Sequence, residues 1–144
     1  LGMVGGQYLD VVNEGRKIDY ELLRTIHRSK TGALITASVV SGGIAAGADA
    51  VEQRLLADYG NAVGLAFQIV DDILNVEATP EQLGKAVGSD AARGKATYPA
   101  LFGLDKAKTM AADAVAAATL ALDHFGEGAE PLRALAQYII DRTT

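Results

Sequence analysis

Between positions 61 and 75 the polar side chains occupy a narrower strip of helix than the apolar ones do. At 100° per residue, Asn61, Gly64, Gln68, Asp71, Asp72 and Asn75 fall on one arc roughly 100° wide, and the other nine residues are all apolar. On a surface helix the apolar stripe is the narrower of the two. The inversion requires a helix enclosed by other protein, with a polar stripe facing either a thin strip of solvent or an internal polar cavity. Adjacent Asp71 and Asp72 would repel each other in a low dielectric unless a cation offset the charge. Asp-Asp-x-x-Asn sets oxygen atoms at i, i+1 and i+4, which suits magnesium, a hard ion that takes one or two carboxylates and completes its shell with water and phosphate.

The rest of the chain supplies the enclosing material. Proline falls only at positions 80, 99 and 131, apolar residues recur at helical spacing nearly everywhere between, and no segment alternates as a strand would. The pattern predicts an all-α helical bundle of about six helices. The first spans 3–12. A second, capped by Asp19, spans 19–46. A third spans 49–76 and opens on a capping box formed by Asp49 and Glu52. Thr79-Pro80-Glu81-Gln82 signals a short helix, and 84–97 reads as a loop with Lys85, Arg93 and Lys95 amid Gly84, Gly88 and Gly94. Two further helices start at Pro99 or Asp105 and at Pro131, separated near Gly126 and Gly128, and end at Phe125 and Arg142.

Several classes are excluded. A net charge of −5 with scattered basic residues argues against a nucleic-acid partner. Zero cysteines remove disulfides, zinc-cysteine sites and thiol catalysis, which suits a cytoplasmic location. The segment 31–48 has no charged residue, yet Thr31, Thr36, Ser38, Ser41 and four glycines make it too polar for a membrane span. Within it, Gly43 and Gly47 mark either a close-packing face or tolerated glycine. The opening Leu-Gly-Met-Val-Gly-Gly has neither an initiating methionine nor a basic-then-apolar leader. Further protein is expected upstream of it.

Two more polar sets accompany the stripe. Gln7 and Asp10 lie one turn apart on the first helix, and His27, Lys30, Thr31 and Leu34 share a face of the second. A lysine there either snorkels to water or reaches an internal site. Lysines on a glycine-rich loop serve equally as solvated residues or as phosphate ligands. Three successive helices that each present polar groups can converge on one cavity.

Taken in order, these segments resemble the trans-prenyl diphosphate synthases of the bacterial farnesyl diphosphate synthase type. Gly5-Gly6-Gln7-x-x-Asp10 resembles the family's glutamine-aspartate helix, and His27-Arg28-Ser29-Lys30-Thr31-Gly32 its lysine-threonine motif. The run from Phe67 to Asn75 resembles the second aspartate-rich motif. Gly84-Lys85 and Gly94-Lys95-Ala96-Thr97-Tyr98-Pro99 resemble the lysine loop that follows. The resemblance implies the C-terminal half of such an enzyme, without the first aspartate-rich motif. It implies a magnesium-dependent prenyltransferase that ionises an allylic diphosphate, alkylates isopentenyl diphosphate with the cation and loses a proton. Asp71 would bind magnesium, with Asp72 and Asn75 supporting it through water. Lys30, Lys95 and Lys85 would bind diphosphate, Thr31 and Gln68 would turn oxygen dipoles toward the cation, and Gln7 and Asp10 would line the cavity. A homodimer and association with the N-terminal half are implied too, and Arg142 resembles a tail that closes over substrate. Asn75 departs from the family's usual aspartate, keeping an oxygen ligand but losing a charge. Two alternatives stand beside this reading: a non-catalytic partner subunit of a synthase, and a class I terpene cyclase. Product length is governed near the first motif and is not legible here.

Overall fold

The computed structural model describes residues 2–77 and 94–142. Every secondary-structure element within them is a helix. Helix α1 is Met3–Val12, α2 is Tyr20–His27 and α3 is Ala33–Ala45, with a single π-helical turn, Arg28–Gly32, joining the last two. Helix α4 is Ala50–Glu77, α5 is Tyr98–Phe102, α6 is Leu104–Ala121 and α7 is Glu130–Asp141. A 3-10 segment, Asp123–Ala129, bends at Gly126 and links α6 to α7. If the continuous run from α2 through α3 is taken as one rod, six helical rods are present among the described residues, and the architecture is the all-α bundle that the periodicity predicts.

The local signals act where the sequence places them. The Asp19 carboxylate accepts the Leu22 amide at 2.9 Å. Asp49 and Glu52 close a reciprocal box, the Asp49 amide donating to Glu52 Oε2 at 2.8 Å and the Glu52 amide to Asp49 Oδ1 at 2.9 Å. Two expectations need correction. The rod expected over 19–46 is interrupted by the π turn, whose extra residue has no signature in hydrophobic spacing. The helix expected to run from Pro99 or Asp105 to Phe125 is three pieces, because Gly103 at φ +81° separates α5 from α6 and α6 gives way to the 3-10 segment. The helix expected after Thr79 lies outside the described residues.

Helix α4 runs through the centre, packed between α6 on one side and α3 on another. Tyr59, Val63, Ala66, Ile69, Val70 and Ile73 are buried along it and meet Ala107, Ala111, Ala114, Val115 and Ala118 of α6. The alanine-rich side of α6 lets the two axes approach closely. Fully burying one Val, Ile or Leu side chain contributes on the order of 1.5–3 kcal/mol, so this contact dominates the core. The Tyr59 hydroxyl donates to the Leu132 carbonyl at 2.8 Å and ties α4 to α7. No helix among the described residues is long and apolar enough to cross a membrane.

Candidate functional site

Two glycines set the distances between the helices that carry the polar groups. A Cβ at Gly6 would lie 2.6 Å from Lys30 Cα, so α1 rests directly on the backbone of the π turn. A Cβ at Gly64 would lie 2.7 Å from Gly32 Cα, so α4 rests on the other end of that turn. Asp10 is one turn beyond Gly6, and Gln68 and Asp71 are one and two turns beyond Gly64 on the same side of α4. The π turn, which carries Lys30 and Thr31, is thereby held between the aspartate of α1 and the polar stripe of α4.

Lys30 Nζ donates to Asp10 Oδ2 at 2.7 Å, and Lys95 Nζ to the same oxygen at 3.3 Å. Two ammonium groups from distant parts of the chain thus converge on one anionic oxygen. Burial alone would raise the Asp10 carboxyl, but Lys30, and after it Lys95, outweigh burial and hold it below its ordinary range. The side chains of Asp10, Lys95 and Lys30 are 18%, 23% and 32% exposed, so all three remain within reach of a ligand from solvent.

The stripe on α4 is more divided than the sequence suggests. Asn61 is exposed and donates to the Ala57 carbonyl at 2.8 Å, and Gly64 is covered by Gly32. Gln68 and Asp71 are half-buried, whereas Asp72 and Asn75 are buried. A single solvent strip or cavity along all six positions is therefore not formed. The physical reason is helix packing, which seals Gly64 against Gly32 and buries Asp72 and Asn75 while Gln68 and Asp71 stay partly open. Asp72 Oδ2 accepts the Tyr98 amide at 2.9 Å. That bond fastens the start of α5, and with it Lys95 three residues earlier, to α4.

Arg142 packs against Phe67, which lies one turn before Asp71 on α4. Its guanidinium lies 4.1 Å from the centre of the Phe67 ring and donates to the Phe67 carbonyl at 3.2 Å. Burial lowers the Arg142 pKa, and the Asp71 carboxylate opposes that change. His27 was only one member of a polar set in the sequence, and the structure gives it a distinct environment. It is buried, stacks on Tyr98 with 5.7 Å between centroids, and has no hydrogen-bond partner at Nδ1 among the described residues. Burial pulls its pKa down to about 4, with Asp10 opposing and Lys30 and Lys95 adding to the effect. Gln7 is exposed on α1 one turn from Asp10, and Thr31 is half-buried. Lys85 and Arg93 lie outside the described residues.

Among the described residues no three His, Cys, Asp or Glu side chains gather as a closed metal cage. The donor set still fits magnesium of the kind shared with phosphate, since such an ion needs only one or two protein carboxylates. Asp71 is the accessible one.

A family model described as polyprenyl synthetase matches residues 1–126. The chain belongs to the polyprenyl synthetase family. Within that family it is 47% identical over 143 residues to a dimethylallyltranstransferase of Fischerella ambigua, covering 99% of this chain and 41% of the relative. It is 45% identical over 146 residues to the farnesyl diphosphate synthase of Escherichia coli, covering 98% and 48%. Among solved family structures, it superposes on a geranyltransferase of Helicobacter pylori in complex with magnesium and isoprenyl diphosphate. There the TM-score is 0.78 at 30% identity, over 97% of this chain and 46% of that one. The chain thus spans about half the length of the polyprenyl synthetases it matches.

Proposed function

We propose that this chain forms the C-terminal half of a trans-prenyltransferase site that binds an allylic diphosphate with magnesium and joins its prenyl group to isopentenyl diphosphate. The observation that carries the reading is the convergence of Lys30 and Lys95, from distant parts of the chain, on a single anionic oxygen of Asp10. A carboxylate oxygen stands there where a phosphate oxygen would be held. Lys30 and Lys95, together with Lys85, bind the diphosphate and offset the charge that gathers on it as the carbon–oxygen bond breaks. Thr31 and Gln68 present oxygen dipoles, which stabilise the allylic cation without capturing it as a nucleophile would. Asp71 is the magnesium ligand, and Asp72 and Asn75 stand behind it. The bound ion supplies Lewis-acid stabilisation of the leaving diphosphate. Loss of a proton from the alkylated isopentenyl unit completes the reaction. A homodimer, a cytoplasmic location and association with an N-terminal half belong to the same proposal, and rest on the family resemblance.

Titration of the chain with inorganic diphosphate in the presence of magnesium tests the anion site. Binding is expected to need magnesium and to weaken at least tenfold in Lys30→Ala, the scale of losing one charge-assisted contact. Equal affinity of the wild type and Lys30→Ala would reject the site. Of the alternatives, a non-catalytic subunit is disfavoured by the convergence itself, because a chain relieved of catalysis has no need to hold two lysines on one point.

A further inference from the structure

Resting on the reading of Lys30 and Lys95 as diphosphate ligands, we propose that Asp10 is an internal stand-in for the diphosphate, holding both lysines until substrate displaces it. Three observations support this. First, one oxygen of Asp10 takes both ammonium groups, so the carboxylate lies at the point where the two cations would meet a phosphate oxygen. Second, Asp10 is carried on a helix whose position is fixed one turn away, where Gly6 rests on the Lys30 backbone. The carboxylate is the fixed member and the long lysine side chains are the members that can swing. Third, the lysines remain between a fifth and a third exposed, so a competing anion can reach them.

Diphosphate offers several oxygens and more charge than a carboxylate, and it prevails when present. The exchange has a definite cost, since only molecules with released lysines are competent to bind, and the apparent affinity falls by that fraction. The same competition acts on inorganic diphosphate formed by the reaction and favours its departure. Asp10 is on this view a positioning residue whose removal strengthens ligand binding, the opposite of what loss of an ordinary site residue does.

The test is calorimetric titration of the 144-residue chain with sodium diphosphate and magnesium. Asp10→Asn and Asp10→Ala are both used, so that a folding defect in one, detected by circular dichroism, leaves the other. Either is expected to bind roughly tenfold more tightly than the wild type. Glu14→Gln removes the same charge from an exposed position and is expected to change affinity less than twofold. Weaker or unchanged binding in both Asp10 variants would overturn the proposal, as would an equal gain in Glu14→Gln, which would make the effect one of net charge alone. Lys30→Ala run beside them separates the two levels. If it loses affinity while the Asp10 variants gain none, the diphosphate site stands and the stand-in fails. If it binds as the wild type does, the site itself is rejected, and the stand-in with it.

Discussion

Asp71→Ala, placed in a complete synthase, is expected to lower prenyl-transfer turnover by on the order of 10²-fold or more, the scale of losing one preorganised electrostatic contributor to a transition state. Of the three oxygen-bearing residues in its motif, Asp71 is the one that remains partly exposed, while Asp72 and Asn75 are buried. Asp72 already serves the Tyr98 amide. Removing Asp71 therefore takes away the accessible carboxylate and leaves no neighbour free to replace it without breaking a packing contact. Asn75→Asp is expected to change turnover much less and to lower the magnesium concentration required, since it adds a charge behind the ligand. The check is a magnesium titration of steady-state turnover for wild type and both variants. Full activity in Asp71→Ala would remove the metal role.

The second large effect is on stability at acid pH, and it comes from His27. The native imidazole has a pKa near 4, lowered mainly by burial, against about 6.5 in the unfolded chain. Between those values the unfolded state binds a proton that the native state does not. His27 thus leaves stability intact above about pH 6.5 and removes it as the pH falls toward 4. The full shift corresponds to roughly 3 kcal/mol, or a fall of roughly 6–12 °C in melting temperature for a chain of this size. His27→Phe keeps a ring against Tyr98 and cannot titrate. Its melting temperature is expected to fall less than the wild type's between pH 7 and pH 4, the difference reporting His27 alone. Parallel curves would show that His27 is not held neutral by the fold.

Much of this was legible in the sequence because helix signals are local. The Asp19 cap, the Asp49–Glu52 box and the apolar breadth of α4 each depend on residues within a few turns of one another. The motifs around Lys30, Asp71 and Lys95 could also be picked out, although the roles of the single residues came from resemblance rather than from periodicity. What escaped was set by contacts between distant segments. The π turn shifts Lys30 by one residue relative to regular spacing. Gly64 was read as part of a polar stripe, but it is a packing point for Gly32. Asp10 was read as lining a cavity, and its pairing with two lysines 20 and 85 residues away has no trace in local pattern. Asp72 was expected to support the metal through water, and its bond to the Tyr98 amide, 26 residues away, has no trace in local pattern either.

A chimera joining the N-terminal half of the Escherichia coli farnesyl diphosphate synthase to this chain provides the decisive measurement. It is assayed with geranyl diphosphate, labelled isopentenyl diphosphate and magnesium, beside the 144-residue chain alone. The chain alone offers one carboxylate cluster and is expected to be inert, because ionising the diphosphate needs fixed oxygen ligands for metal on both sides of it. The chimera is expected to form a longer prenyl diphosphate, and to lose that activity when Lys30 or Asp71 is replaced by alanine. Steady turnover by the 144-residue chain alone, or a folded chimera that is inactive or indifferent to both replacements, would show that this chain is not the half of a prenyltransferase site proposed for it.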